Sequence, residues 1–180
     1  SGSTDFFGLN HYTTLYAAYV PPGTDIAYEV YGNGGIAEDQ DVQLSADPAW
    51  ERTTMGWAIV PWGCRKLLQW IHQRYGGPDI YITENGCSFD DQLVEGTVDD
   101  SRRIAFLEGY LQACHEAIAS GVNLRGYFVW SFMDNFEWAS GYSKRFGLHH
   151  IDFANGQQRT PKASAAWYAK VARSKQLPGR

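Results

Sequence analysis

Basic residues are scarce and dispersed. The 180-residue chain carries 15 Lys and Arg against 20 Asp and Glu, a formal charge of −5, and no basic run exceeds a pair such as Arg65-Lys66 or Arg102-Arg103. Nucleic-acid binding draws on a basic face that displaces counterions from phosphates, so a nucleic-acid partner is excluded. No stretch approaches the roughly 18 uncharged apolar residues of a spanning helix, which argues against a membrane partner. Ser1-Gly2-Ser3-Thr4 has neither the basic region nor the apolar run of a signal peptide. Cysteine is also thin: Cys64, Cys87 and Cys114 are odd in number and widely spaced, with no Cys-x-x-Cys pair. That fits neither a disulfide framework nor a zinc site, and a reducing, cytoplasmic setting is expected.

Apolar and aromatic residues are plentiful. The chain is 44% hydrophobic and 15% aromatic, with 7 Trp, 11 Tyr and 9 Phe. At this length roughly two-thirds of the unfolded chain's surface can be buried, so one domain with a real core is expected and disorder is excluded. Aromatic rings build cores, and they also stack on the apolar faces of sugars; a Trp-rich cleft with a few carboxylates suits carbohydrate.

Three apolar segments read as strands: Asp5 to Tyr12, Asp79 to Thr83 and Arg125 to Phe132. Ile80-Tyr81-Ile82 and Tyr127-Phe128-Val129 run apolar without alternation, as strands buried on both faces of a parallel sheet do. Each is followed by a helical pattern. Pro61 opens the first, with Leu67, Leu68, Ile71 and Tyr75 on one face and Gly76-Gly77 at its end. Asp99 or Asp100 caps the second, whose stripe is Ile104, Leu107, Leu111, Cys114 and Ile118. Thr160-Pro161 opens the third, with Trp167, Tyr168 and Val171 inward. The fold class is therefore α/β. Between them, residues 13–54 read as a long surface loop, a length usually kept for function.

Glu84 stands at the carboxyl end of the second strand, where catalytic groups gather in parallel α/β folds. The residues alone allow two readings, a catalytic carboxylate or a solvated turn glutamate. The Asn85-Gly86 pair is a hairpin signal, but Cys87-Ser88-Phe89 does not alternate, so no return strand is expected. The third strand runs into Trp130-Ser-Phe-Met-Asp134-Asn-Phe-Glu137-Trp138, which is either a binding loop or an aromatic cluster with peripheral carboxylates. Asn10 and Tyr12, ending the first strand, either donate to a carboxylate or cap a loop.

Together these segments resemble the carboxyl-terminal part of glycoside hydrolase family 1, the β-glucosidase and β-galactosidase family. The resemblance is carried by Asp5-Phe-Phe-Gly-Leu-Asn-His-Tyr-Thr, Ile82-Thr-Glu-Asn-Gly and Arg125-Gly-Tyr-Phe-Val-Trp-Ser-Phe-Met-Asp-Asn-Phe-Glu-Trp. Lys144-Arg-Phe-Gly-Leu and Met55-Gly-Trp-Ala-Ile-Val-Pro extend it over essentially the whole chain, residues 1–180. It implies strands six to eight, with their helices, of a (β/α)₈ TIM barrel. It implies that Glu84 is the nucleophile, oriented by Tyr12, and that Asn10, Trp57, Trp130, Glu137, Trp138 and Phe146 contact a β-glucoside or related glycoside. No cofactor is implied. Adjacent strand residues face opposite sides, so His149-His150 do not share an ion and no metal is expected.

A retaining glycosidase needs a second carboxyl group as acid and base. The family takes it from an Asn-Glu-Pro motif on strand four, and that tripeptide is absent from these 180 residues. A complete barrel takes about 250 residues, and three strands cannot close. An amino-terminal segment of the same barrel is therefore expected as partner, and the chain alone is expected to be inactive. The alternative is a non-catalytic carbohydrate-binding or partner-binding module.

Overall fold

Residues 3–19, 21 and 42–177 are described in the structure, a computed structural model. In chain order the elements are β1 (Phe7–Asn10), β2 (Tyr16–Tyr19), β3 (Val42–Ser45), α1 (Pro61–Arg74), β4 (Ile80–Asn85), α2 (Ser101–Ala119), β5 (Leu124–Val129), a 3₁₀ turn (Trp138–Ser140), β6 (His149–Asp152), β7 (Gln158–Pro161) and α3 (Ala163–Ser174). β4 lies between β1 and β5 in a three-stranded parallel sheet. Its register carries Asn10 opposite Glu84 and Asn85 opposite Val129. All three strand ends therefore finish at one rim.

Ile80 and Ile82 project from β4 into a core shared with Cys64, Leu68 and Ile71 of α1 and with Phe106, Leu107, Tyr110 and Cys114 of α2. Burial is one-sided. Thr83 is exposed and Phe128 is 57% exposed, whereas the uninterrupted apolar runs predict burial on both faces. The helices cover one face of the sheet only, and β1 and β5 each pair with a single neighbour among the described residues. In the described residues the apolar run is thus longer than the cover over it.

The helices follow the sequence with small shifts. Pro61 occupies the first turn of α1, where its missing N–H is no loss, and Gly76 and Gly77 at φ +72° and +75° end it. On α2 the buried stripe is Arg103, Phe106, Leu107, Tyr110, Ala113, Cys114 and Ala117, rotated from the expected one so that Ile118 is 50% exposed. Asp100 precedes α2 without capping it, because Arg103 and Ser164 hold its carboxylate; Asp99 accepts from the Ser101 N–H at 3.0 Å instead. Thr160-Pro161 does not open the last helix. Both residues belong to β7, paired with His150 and His149 of β6, and α3 begins at Ala163.

At its described ends, the segment read as loop carries the antiparallel pair β2–β3, with Tyr16 opposite Ser45 and Tyr19 opposite Val42. Residues 22–41, the middle of that expected loop, lie outside the described residues. β2 is exposed at all four positions and shows no alternation, which leaves a period-2 reading nothing to detect.

Candidate active site

Backbone pairing brings the first two residues together. The His11 N–H donates to the Glu84 carbonyl at 2.9 Å, just beyond the β1–β4 ladder, and the next side chain, Tyr12, donates its hydroxyl to Glu84 Oε2 at 2.6 Å. Burial, the Glu84 carboxylate and Glu137 all push the Tyr12 hydroxyl far above the ordinary phenol range, so Tyr12 remains a donor at any working pH. Its ring is 5.2 Å from Trp57 and meets Phe146 edge-on at 6.3 Å, while Trp57 and Phe146 are 6.0 Å apart. Phe146 is fully buried beneath them. The aromatic wedge fixes the phenol, and the phenol fixes the carboxylate.

Asn85 ties the three strands at this rim. Its Nδ2 donates to the His11 carbonyl at 2.7 Å, the Tyr127 hydroxyl donates to its Oδ1, and its own carbonyl accepts from the Trp130 N–H at 2.9 Å. The Asn-Gly pair that reads as a turn signal is thus a buried strut. Gly86 follows for a steric reason: a Cβ there would lie 1.7 Å from the Trp130 carbonyl oxygen. No return hairpin forms; Phe89 instead makes an isolated antiparallel bridge to Arg145.

Beyond β5, Trp130 Nε1 donates to Glu137 Oε2 at 3.3 Å and Asn135 Nδ2 reaches the same oxygen at 3.4 Å. Trp138, 82% exposed, stands apart at the loop tip. Asn10 accepts from Thr83 Oγ1 at 2.6 Å on the exposed face. The structure therefore gathers Glu84, Tyr12, Trp57 and Phe146 into one cluster, sets Trp130 and Glu137 beside it through Asn85, and leaves Asn10 and Trp138 at its margin. His149 and His150 do not converge: His149 Nδ1 lies 3.0 Å from the Phe132 carbonyl, and His150 is buried. Among the described residues no three His, Cys, Asp or Glu side chains are placed to hold a metal ion.

A charge network behind the loop escaped the sequence reading. Lys162 Nζ sits 2.6 Å from Asp91 and 2.9 Å from Asp134; Arg103 reaches Asp91 at 2.7 Å and Asp100 at 2.6 Å; Arg145 reaches Asp134 at 2.6 Å. Three carboxylates meet three cations, nearly all fully buried, so the net charge is zero. Asp134 also accepts the Gly147 N–H at 3.0 Å, anchoring the segment that carries Trp130, Glu137 and Phe146. The one available signal was charge in strand-end loops of a chain with little charge, which does not say which ions meet.

Burial alone would raise the Asp134 carboxyl, but Lys162 and Arg145 outweigh it and hold the carboxyl below its ordinary range. A group lowered on folding contributes stability above its unfolded value, about pH 4, and loses it as pH falls through the folded value. Unfolding free energy measured against pH is therefore expected to drop below about pH 4, and Asp134→Asn should flatten that limb. An unchanged acid limb in the variant contradicts this.

Residues 1–177 match glycosyl hydrolase family 1. Beta-glucosidase 4 of Oryza sativa subsp. japonica is 42% identical over 170 residues, covering 92% of this chain and 35% of that protein. Lactase/phlorizin hydrolase of Homo sapiens is 41% identical over 180 residues, 99% of this chain and 9% of its own length. The solved structure of a family 1 β-glucosidase from Thermotoga maritima superposes with a TM-score of 0.82 at 39% identity, over 96% of this chain and 35% of that one. The same comparison holds for that enzyme in complex with isofagomine lactam, at 40% identity and a TM-score of 0.82. The chain spans about a third of the length of the rice and Thermotoga relatives.

Proposed function

The chain belongs to glycosyl hydrolase family 1, of whose (β/α)₈ barrel it carries strands six to eight with their helices, and from this premise we propose that Glu84 is the nucleophile of a retaining β-glycosidase. The observation that carries the proposal is Glu84 at the end of β4, held by the Tyr12 hydroxyl at 2.6 Å in an aromatic-walled rim. The carboxylate attacks the anomeric carbon and forms a glycosyl ester with inversion; water then releases the sugar with a second inversion, giving net retention. Tyr12 supports this by orienting one carboxylate oxygen and leaving the other to attack. Trp130 lines the sugar-binding subsite, Glu137 accepts from sugar hydroxyls, and Trp138 and Asn10 donate to others. Trp57 stands toward the leaving group, and Phe146 backs the wall.

The acid that protonates the departing oxygen belongs about 5 to 5.5 Å from the nucleophile. We assign it to the amino-terminal segment of the same barrel. The sheet presents β1 and β5 as the edges on which further strands of that segment pair. The substrate class is a β-glucoside or related glycoside, in keeping with the names of the relatives.

The test is a 2-deoxy-2-fluoro-β-glucoside with an activated leaving group, applied to the full-length protein that carries this chain. A stable adduct mapping to Glu84 is expected. Turnover of aryl glucosides with the adduct on another residue overturns the nucleophile assignment, and sugar binding without adduct or turnover favours a non-catalytic module. The purified 180-residue chain is expected to give negligible hydrolysis; substantial hydrolysis places the acid within it.

A further inference from the structure

Behind the β1–β4 rim, Cys64 of α1 and Cys114 of α2 lie in the same core cluster, both buried and both free thiols. The two sulfurs hydrogen-bond each other, and the His11 ring hydrogen-bonds Cys64. His11 is itself buried, with Nε2 3.3 Å from Thr14 Oγ1 and Nδ1 lacking any oxygen or nitrogen partner among the described residues. A cavity of about 520 Å³ between α2, β5 and α3 has Cys114 in its wall, with Leu111, Ile118, Tyr127 and Val171. The half-exposure of Ile118, which departs from the stripe read in the sequence, belongs to this opening.

We propose that Cys64 and Cys114 are a peroxide-oxidised thiol pair that closes to a reversible disulfide between α1 and α2, with His11 assisting the Cys64 sulfur. The supporting electrostatics agree with that assignment of roles. The Cys114 S–H, joined by His11, holds the Cys64 thiol down to about 5 against the upward pull of burial, while Cys114 is raised by the same shared proton. The thiolate is the reacting form. Cys87 is the internal control: burial pushes its thiol up to about 12, with Arg103 acting the other way, so it stays protonated.

The steps balance as follows. The Cys64 thiolate attacks one oxygen of hydrogen peroxide, the O–O bond breaks, and the hydroxide released takes up the thiol's proton as water, leaving a sulfenic acid. The Cys114 sulfur then attacks the Cys64 sulfur; the S–O bond breaks, and the second oxygen leaves as water with the Cys114 proton. Two thiols and one peroxide give one disulfide, at an S–S distance of about 2.05 Å, and two waters. A thiol reductant reverses the bond by exchange.

The experiment is limited peroxide treatment of the full-length protein that carries this chain, with near-ultraviolet circular dichroism to verify that the fold persists, followed by alkylation and peptide mapping. A peptide joining Cys64 to Cys114, two hydrogens lighter than its reduced parts and lost on reduction, is expected while Cys87 remains alkylatable. Cys114→Ser should leave a dimedone-reactive sulfenic acid on Cys64, and His11→Phe should slow oxidation by about tenfold. Failure to find the joined peptide in folded protein under conditions that oxidise a small-molecule thiol overturns the proposal. So does Cys87 reacting ahead of Cys64, or Cys114→Ser leaving Cys64 unoxidised.

Discussion

Replacing Glu84 with Gln in the full-length protein that carries this chain is expected to lower kcat/KM for an aryl β-glucoside by about four to six orders of magnitude, as removal of a covalent nucleophile does. The change is nearly isosteric. The amide oxygen still accepts from Tyr12, and the wedge of Tyr12, Trp57 and Phe146 is untouched, so fold and sugar affinity should change little. What is lost is the charge that attacks the anomeric carbon. The loss therefore lies in kcat, with KM near its original value. Glu137→Gln gives the contrast: it removes hydrogen bonds to a charged acceptor, worth about 1.5–3 kcal/mol, and should cost only about 10- to 150-fold. Steady-state kinetics on both variants separate the roles. Activity of Glu84→Gln within tenfold of the parent would remove Glu84 from the chemistry.

The second large effect is on stability. Lys162→Met is expected to lower the unfolding free energy by about 3–5 kcal/mol, because it strands Asp91 and Asp134 as buried charges without their shared cation. Methionine fills similar volume, so the cost is electrostatic rather than a cavity. Pairing Lys162→Met with Asp91→Asn removes one charge of each sign and should recover part of the loss, a coupling that a double-mutant cycle measures. Urea denaturation supplies the readout through the midpoint at unchanged slope. A single variant within about 1 kcal/mol of the parent, a value typical of exposed pairs, would mean that the network does not anchor the segment from Trp130 to Phe146.

The helices and the three parallel strands were legible because their signals are local. Pro61, Gly76-Gly77 and the spacing of Leu68 and Ile71 act within a turn or two, and the apolar run Ile80 to Ile82 needs only itself to be recognised. The short antiparallel pairs were not legible. β6 and β7 are four residues each, and Thr160-Pro161 carries a helix-start pattern that pairing with His149 and His150 overrides. The site was legible mostly through resemblance: spacing allowed Glu84 a catalytic or a solvated role, and the quoted motifs assigned it the first. The thiol pair was legible only as three unpaired cysteines.

Strand, helix and strand-end carboxylate thus follow from the order of residues, since periodicity and turn chemistry are settled between near neighbours along the chain. Which charges meet was left to packing. Tyr12 reaches Glu84 across 72 positions, and Lys162 reaches Asp91 across 71 and Asp134 across 28. Hydrogen bonds and ion pairs act over a few ångströms of space, so such partners exist only after β1, β4 and β5 align in register and α3 docks beside them.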